Sequence, residues 1–164
     1  MKTSINILNA IDDNKKISIS LNSCPHYLIT GGTGSGKTTY SLYLLGKLCL
    51  NYKDAKVYIL DFKGDDSFQV FDNFNNYFSY SDCIVGLREV YEEFSERLKT
   101  MEASPPLIVF IDELASMISY FSRSNSEKNE IQKIIAEILM MGRSKKVHII
   151  TSTQRPDSNL FSNG

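Results

Sequence analysis

The chain has 164 residues, of which 42% are hydrophobic and 23% charged, and its formal net charge at pH 7 is −1. These values describe one globular domain with a core of its own, and the absence of net positive charge excludes an overall basic footprint for nucleic acid. The three cysteines show no C-x-x-C spacing, which excludes a disulfide framework or cysteine zinc site, and without a signal-peptide pattern the protein is predicted to be cytoplasmic.

The N-terminal segment is predicted to form a β-hairpin. Two short β-prone runs, residues 4–8 and 16–21, flank the turn signal Asp12-Asp13-Asn14. We interpret residues 1–22 as a hairpin that leads into a single core, residues 23–164. The core begins with a strand over residues 26–30. Downstream of residue 37, apolar residues at helical spacing predict a helix, namely Leu42, Leu45, Leu48 and Tyr52.

Between this strand and helix lies a complete phosphate-binding loop. Residues 31–38 read Gly-Gly-Thr-Gly-Ser-Gly-Lys-Thr and match the pattern G-x-x-x-x-G-K-[ST]. In such a loop the backbone N–H groups converge on phosphates, Lys37 brings positive charge to the β- and γ-phosphates, and the Thr38 hydroxyl is a ligand for Mg²⁺. The helix N-terminus adds its dipole. The predicted nucleotide-binding residues are Gly31, Gly32, Thr33, Gly34, Ser35, Gly36, Lys37, Thr38 and Thr39.

The middle of the chain is predicted to hold a strand, an irregular segment and a long helix. The strand covers residues 56–60 and ends at Asp61, and the aromatic-rich stretch 71–80 is interpreted as a loop or an edge strand. A helix is predicted to begin at Ser81-Asp82 and to be stopped by Pro105-Pro106. Its apolar face consists of Ile84, Leu87, Val90, Tyr91, Phe94, Leu98 and Met101.

The last third adds two strands around another helix. Residues 107–111 form a continuous apolar run, typical of a strand buried on both faces and far too short to span a bilayer. Ser124 and Glu127 form a possible capping box for a helix that ends at Gly142, and the last strand covers residues 147–151. The alternation of strands and helices predicts an α/β fold with a mostly parallel sheet flanked by helices.

An acidic pair follows the buried strand directly. Asp112, at the tip of the strand, is positioned to reach the Mg²⁺ shell beside the phosphate loop, and Glu113 to polarise a water molecule for attack on the γ-phosphate. The alternative is that the two acids only cap the next helix. We favour the hydrolytic interpretation because a complete phosphate loop stands upstream.

A polar segment, Thr151-Ser152-Thr153-Gln154, ends the last strand. If this strand lies between the strands that lead to Lys37 and Asp112, Gln154 faces the γ-phosphate. An amide there can hydrogen-bond a phosphate oxygen and the attacking water. The alternative is a polar strand end that faces solvent.

These segments carry a family resemblance. Residues 26–38 resemble the phosphate-loop region of the FtsK/SpoIIIE/HerA DNA-pumping ATPases, and residues 109–115 resemble their acidic motif. Most specific is the stretch from Met-Gly-Arg-Ser at 141–144 to Thr-Gln-Arg-Pro at 153–156, which resembles their Gly-Arg segment and strand end. Pro105-Pro106 and the long helix before Gly142 look most like the coupling-protein motors of conjugative elements.

The resemblance implies a RecA-like core in a ring-forming motor, usually a hexamer, that hydrolyses ATP to pump double-stranded DNA in DNA transfer or segregation. Residue by residue, it implies that the loop 31–38 binds ATP, that Thr38 and Asp112 hold Mg²⁺, that Glu113 activates water, and that Gln154 senses the γ-phosphate.

The resemblance also offers an arginine finger. Arg143 is a candidate to reach a neighbouring subunit's nucleotide, where a bidentate cation neutralises developing charge, and Arg155 is a second, weaker one. The alternative is that the Arg143 cation only interacts favourably with the dipole at the helix C-terminus.

Two departures from the family pattern stand out. Asp61-Phe62-Lys63 occupies the place of an Asp-Pro-Lys-like element but differs in its middle residue, and we assign it no catalytic role. The chain also stops at Gly164, before a core strand that relatives carry, so we expect either a fragment or a shortened protein. The strand that leads to the phosphate loop is then predicted at or near a sheet edge.

Two other functions are compatible with a phosphate loop. The first is an ATP-binding module without productive hydrolysis that gates assembly with partner chains. The second is a small-molecule kinase, but the Arg-rich lid and acceptor pocket that it predicts are not visible. A GTPase lacks support because the sequence has no N-K-x-D motif.

Overall fold

The computed structural model describes residues 4–12 and 15–154. The chain first forms an antiparallel hairpin of β1 (Ile5–Asn9) and β2 (Lys16–Ile19), with Ile5 paired to Ile19. A bulge lies between Asn6 and Leu8. The predicted N-terminal hairpin is confirmed, and its buried isoleucines lie in the same apolar cluster as the first core helix.

The core begins with β3 (Tyr27–Thr30) and α1 (Lys37–Asn51), and the other core elements follow. They are β4 (Lys56–Asp61), a 3₁₀ helix (Asp66–Phe71), β5 (Tyr77–Ser79), a 3₁₀ turn (Tyr80–Asp82), α2 (Cys83–Lys99), β6 (Leu107–Asp112), α3 (Leu114–Phe121), α4 (Asn125–Met141), a 3₁₀ helix (Gly142–Lys145) and β7 (Val147–Thr153).

The five core strands form one parallel sheet in the order β3-β7-β6-β4-β5. β7, the last strand of the described residues, therefore lies between the strand that leads to the phosphate loop and the strand that leads to the acidic pair, as the RecA-like interpretation requires. In the described part of the chain β3 pairs with β7 alone and forms a sheet edge, and Leu28 in it is 54% exposed.

Apolar layers cover both faces of the sheet. Because side chains alternate along a strand, the fully buried β6 sends Leu107, Val109 and Ile111 into the layer formed with α2, α3 and α4. The same strand sends Ile108 and Phe110 into the layer formed with α1 and the hairpin. This double burial explains the unbroken apolar run in its sequence.

Several helix ends differ from prediction. Helix α2 ends at Lys99, and Met101, predicted on its apolar face, is fully exposed. Asp82 stands at its start without a capping side-chain bond, because a 3₁₀ turn already leads into the helix. At the start of α4 the Ser124 hydroxyl accepts the Glu127 N–H at 3.4 Å, as in a capping box. The Ser124 N–H, however, donates to the Phe121 carbonyl and not to the Glu127 side chain.

The prediction that α4 ends at Gly142 is confirmed. Gly142 has a right-handed φ of −60° and begins the 3₁₀ helix, and Lys146 after this helix takes the left-handed conformation at φ +53°. Gly142 is needed for space, because a Cβ there would lie 2.6 Å from the Val147 carbonyl oxygen. In the described residues, no helix has both the length and the apolar character needed to cross a bilayer.

Candidate active site

The phosphate loop connects β3 to α1 at the carboxyl edge of the sheet. Gly34 and Gly36 have φ of +76° and +83°, conformations that other residues rarely adopt. Gly36 precedes the first residue of α1, and no side chain caps this helix N-terminus. The first N–H groups of α1 are therefore open to the cleft, which is the arrangement that binds phosphates.

A cleft of about 310 Å³ lies over the loop. It brings together predicted residues that are far apart in sequence and adds two that were not predicted, Lys63 and Asp65. The lining residues are Thr33, Gly34, Ser35, Gly36, Lys37, Thr38, Thr39, Lys63, Asp65, Asp112, Glu113 and Gln154. The Lys37 ammonium donates to the Gly32 carbonyl at 3.1 Å, so its charge lies within the loop.

The acidic pair is buried and held by β7. Asp112 and Glu113 are 3% and 5% exposed, and Glu113 has a left-handed backbone with φ +53°. The Ser152 hydroxyl donates to the Asp112 carboxylate and accepts the Glu113 N–H at 3.3 Å. The Gln154 N–H donates to the Glu113 carboxylate at 3.4 Å. Strained backbone of this kind concentrates at functional sites.

The electrostatics of the cleft favour a cation. Burial, together with the negative charges of Asp61, Glu113 and Asp65, raises the pKa of Asp112, although the hydrogen bond from Ser152 opposes this. A divalent ion beside Asp112 would relieve this repulsion. Within the described residues no group of three or more His, Cys, Asp or Glu side chains could hold a metal, but Mg²⁺ on a nucleotide needs only one or two carboxylates plus the phosphates. Thr38 and Asp112 fit that requirement.

Gln154 lies between the loop and the acidic pair. The Thr33 hydroxyl donates to its side-chain oxygen at 3.2 Å, while its backbone contacts Glu113. Gln154 is exposed and lines the cleft. Its role as a γ-phosphate sensor stays a prediction.

Arg143 is not part of this cleft. It precedes β7, at the edge of the sheet opposite the phosphate loop, and the length of β7 separates the two by about 23 Å. It lies exposed in a groove with Leu98, Met141 and Lys146. Any catalytic role would have to be on another copy, so the finger stays a prediction. Arg155, the second candidate, lies outside the described residues.

Two contributors to the site were missed from sequence. Ser152 stands in the polar segment before Gln154, and only the strand order shows that its hydroxyl meets Asp112. Lys63 follows β4, a neighbour of β6, so the shared carboxyl edge of a parallel sheet was the available signal.

Comparisons with known proteins agree with this geometry. Residues 27–160 match the family described as ATPase family associated with various cellular activities (AAA). The FtsK domain-containing protein YdcQ of Bacillus subtilis (strain 168) is 27% identical over 185 residues, which cover 99% of this chain and 38% of the relative. The DNA translocase FtsK of Clostridium tetani (strain Massachusetts / E88) is 26% identical over 168 residues, 86% of this chain and 22% of that protein.

The fold has a solved counterpart. The pCW3 conjugation coupling protein TcpA, a monomer form with ATPγS, superposes with a TM-score of 0.77 at 20% identity, covering 99% of this chain and 51% of that one. This chain thus spans well under half the length of the two sequence relatives and about half of the solved one.

Proposed function

Because the chain belongs to the AAA family of ATPases and is of the FtsK/SpoIIIE type, we propose that it binds Mg²⁺ and ATP, hydrolyses ATP, and is the motor domain of a DNA translocase. One observation carries the hydrolytic part. β7 lies between the strands of the phosphate loop and the acidic pair, so that Gln154 touches both Thr33 and Glu113.

Each residue of the cleft has a defined task in this proposal. The loop N–H groups and Lys37 bind the phosphates, and Thr38 with Asp112 would hold Mg²⁺, which supplies charge neutralisation at the phosphate oxygens when bound. The Glu113 carboxylate accepts a proton from the attacking water, and the Gln154 amide orients that water. Ser152 keeps the two acidic residues in place.

Replacement of Glu113 by Gln tests hydrolysis. We expect ATP binding to persist and the hydrolysis rate to fall about 10²- to 10⁴-fold, because the amide cannot accept the proton. Glu92→Gln, on the exposed side of α2, is the matched control and should leave the rate unchanged. Phosphate release would be measured for all three proteins.

If the unmodified chain binds ATP tightly but releases no phosphate, the alternative of a non-hydrolysing module that gates assembly is favoured. If Glu113→Gln hydrolyses ATP at the unmodified rate, the assignment of Glu113 is wrong.

The DNA role rests on the sequence relatives. Both carry an FtsK domain or name, and one is a DNA translocase; we propose that this chain acts on double-stranded DNA as a ring, with six subunits by family resemblance. The test compares ATP turnover with and without duplex DNA in the full reading frame that contains the chain, together with its mass in solution. Turnover that is indifferent to DNA would contradict the translocase assignment.

A further inference from the structure

The loop after β4 is organised around a buried carboxylate. Asp61 is fully buried and accepts the Gly64 N–H at 2.9 Å and the Tyr77 hydroxyl at 3.0 Å. The Asp65 N–H also faces this carboxylate. Three donors from two segments thus fix the path of residues 62–65, so the position of Lys63 is set by the fold.

Two left-handed residues meet at the same place. Gly64 has φ +65° and Tyr80 has φ +49°, and the Tyr80 ring lies so close to Gly64 that a Cβ there would overlap it. A tyrosine in this conformation costs free energy. In the described part of the chain three non-glycine residues have a positive φ. Two of them, Tyr80 and Glu113, line one pocket beside the nucleotide cleft.

That pocket, of about 410 Å³, adjoins the cleft over the loop. Phe62, Tyr80 and Tyr120 supply its aromatic walls. Three residues line both cavities, namely Lys63, Glu113 and Gln154. Lys63 therefore shares its surroundings with the residues assigned to the water and the γ-phosphate.

The charge of Lys63 is available to a ligand. Its side chain is exposed, and within the described residues it makes no ion pair closer than 4.0 Å. The hydrogen bonds from Ser67 lower the pKa of Asp65, and the positive charge of Lys63 adds to this effect. Asp112 and Glu113 line the same cleft, which thus combines three carboxylates with the ammonium groups of Lys37 and Lys63. Lys37 follows β3 and Lys63 follows β4, with β7 and β6 between these strands in the sheet.

We propose that Lys63 is a second cation for the γ-phosphate, placed across the cleft from Lys37, and that it makes the site prefer ATP over ADP. This inference rests on the proposed function. Lys37 serves the β-phosphate, which both nucleotides carry, as well as the γ-phosphate, whereas Lys63 borders only the γ-phosphate end marked by Glu113 and Gln154. Asp61, Gly64 and Tyr80 are positioning residues that hold Lys63 there.

The test measures ADP and ATPγS binding, each with Mg²⁺, by calorimetry. We expect Lys63→Met to weaken ATPγS binding about tenfold or more, the value of a charged hydrogen bond, while ADP binding changes less than about twofold. Lys37→Met should weaken both. Lys63→Arg should keep most of the preference for ATPγS because it retains the cation.

Lys53→Met is the matched control. Lys53 is an exposed lysine just after α1, at the end of that helix opposite the phosphate loop, so its loss should leave both affinities unchanged. Melting temperatures identify any variant that has lost its fold, and a Lys63→Met protein that melts like the unmodified chain makes the comparison decisive.

The outcomes separate the two proposals. If the unmodified chain binds both nucleotides and Lys63→Met weakens them equally or not at all, the role of Lys63 is overturned while ATP binding stands. If the unmodified chain binds neither nucleotide, the proposed function itself fails and the role of Lys63 fails with it.

Discussion

At the scale of single residues, Ser152 contacts both members of the acidic pair. Its hydroxyl is fully buried and serves both members, as donor to Asp112 and acceptor for the Glu113 N–H. Such supporting contacts orient ligands and bases and commonly change activity by 10- to 100-fold. A serine to which the sequence assigned no role therefore contacts both acidic residues.

Ser152→Ala is expected to lower the ATP hydrolysis rate about tenfold with little change in ATP affinity, because it removes orientation and no phosphate contact. It should also lower the free energy of unfolding by about 1–3 kcal/mol, since the Glu113 N–H loses its partner. Steady-state kinetics and urea unfolding measure both effects.

The control for this prediction is Thr151→Val. It removes a neighbouring buried bond, from the Thr151 hydroxyl to the Ile111 carbonyl at 3.0 Å, without touching the acidic pair. It should destabilise the fold and leave the rate nearly unchanged. Equal losses of rate in both variants would show that Ser152 acts only through stability.

At this scale, the sequence predicted the site residues that belong to a recognisable motif, and it missed those whose role depends on a tertiary contact. Lys37 and Thr38 belong to a loop whose spacing is dictated by phosphate geometry, and Asp112 follows a recognisable buried strand. Ser152 and Lys63 act across strand boundaries, so their partners become visible only when the strand order is known.

At the scale of elements, the helix α2 approaches the sheet through a glycine. Gly86 is buried, and a Cβ on it would lie 2.5 Å from the Phe78 ring and 2.6 Å from the Leu60 side chain. Gly46, in α1, is equally helical but exposed, with nothing within 4 Å of such a Cβ. A substitution at Gly86 therefore tests packing, and a substitution at Gly46 tests helix propensity.

Gly86→Ala is expected to lower the free energy of unfolding by about 1–3 kcal/mol, because α2 must move away from β4 and β5. Gly46→Ala should raise it by about 1 kcal/mol, the gain in helix propensity. Chemical unfolding of the two variants tests the contrast. Stabilisation by both substitutions would show that α2 has room to accommodate the extra methyl group.

Periodicity predicted most of the elements but missed α3, and it predicted the ends of the elements poorly. Apolar spacing identified α1, α2 and α4 because each buries one face. The apolar spacing placed Met101 in α2, but the helix ends at Lys99. The backbone becomes extended at Thr100, and no sequence pattern marks that change. The stretch 71–80, which the sequence predicts to be a loop or an edge strand, contains the edge strand β5, which is only three residues long.

At the scale of the whole molecule, the base of the sheet contains a buried histidine. His148 in β7 is 3% exposed and donates from Nδ1 to the Pro25 carbonyl at 3.1 Å. Burial, with the nearby charges of His26 and Arg97, lowers the pKa of His148 to about 4, although the bond to Pro25 opposes this. The folded domain thus keeps this imidazole neutral under conditions in which the unfolded chain protonates it.

The stability of the domain is therefore expected to fall with acidification. Between about pH 6.5 and 4 the unfolded chain binds a proton at His148 that the folded chain excludes, so unfolding is favoured as the pH drops. From pH 7 to 5 this residue accounts for about 2 kcal/mol. Urea unfolding at the two pH values measures the loss.

His148→Gln isolates this contribution, because the amide can still donate to Pro25 but does not titrate. The difference in unfolding free energy between pH 7 and 5 should shrink by about 2 kcal/mol in this variant. His26, whose pKa burial also lowers, remains in both proteins. An unchanged difference would mean that His148 is not the group responsible.

The strand order also sets a sequence of events during synthesis. In the described part of the chain the strand before the phosphate loop has one partner in the sheet, and that partner, β7, is synthesised after the other described strands. β4, β5 and β6 can pair with one another earlier. The acidic half of the cleft is then built first, and a nascent chain cannot complete its ATP site until residue 153 has been translated.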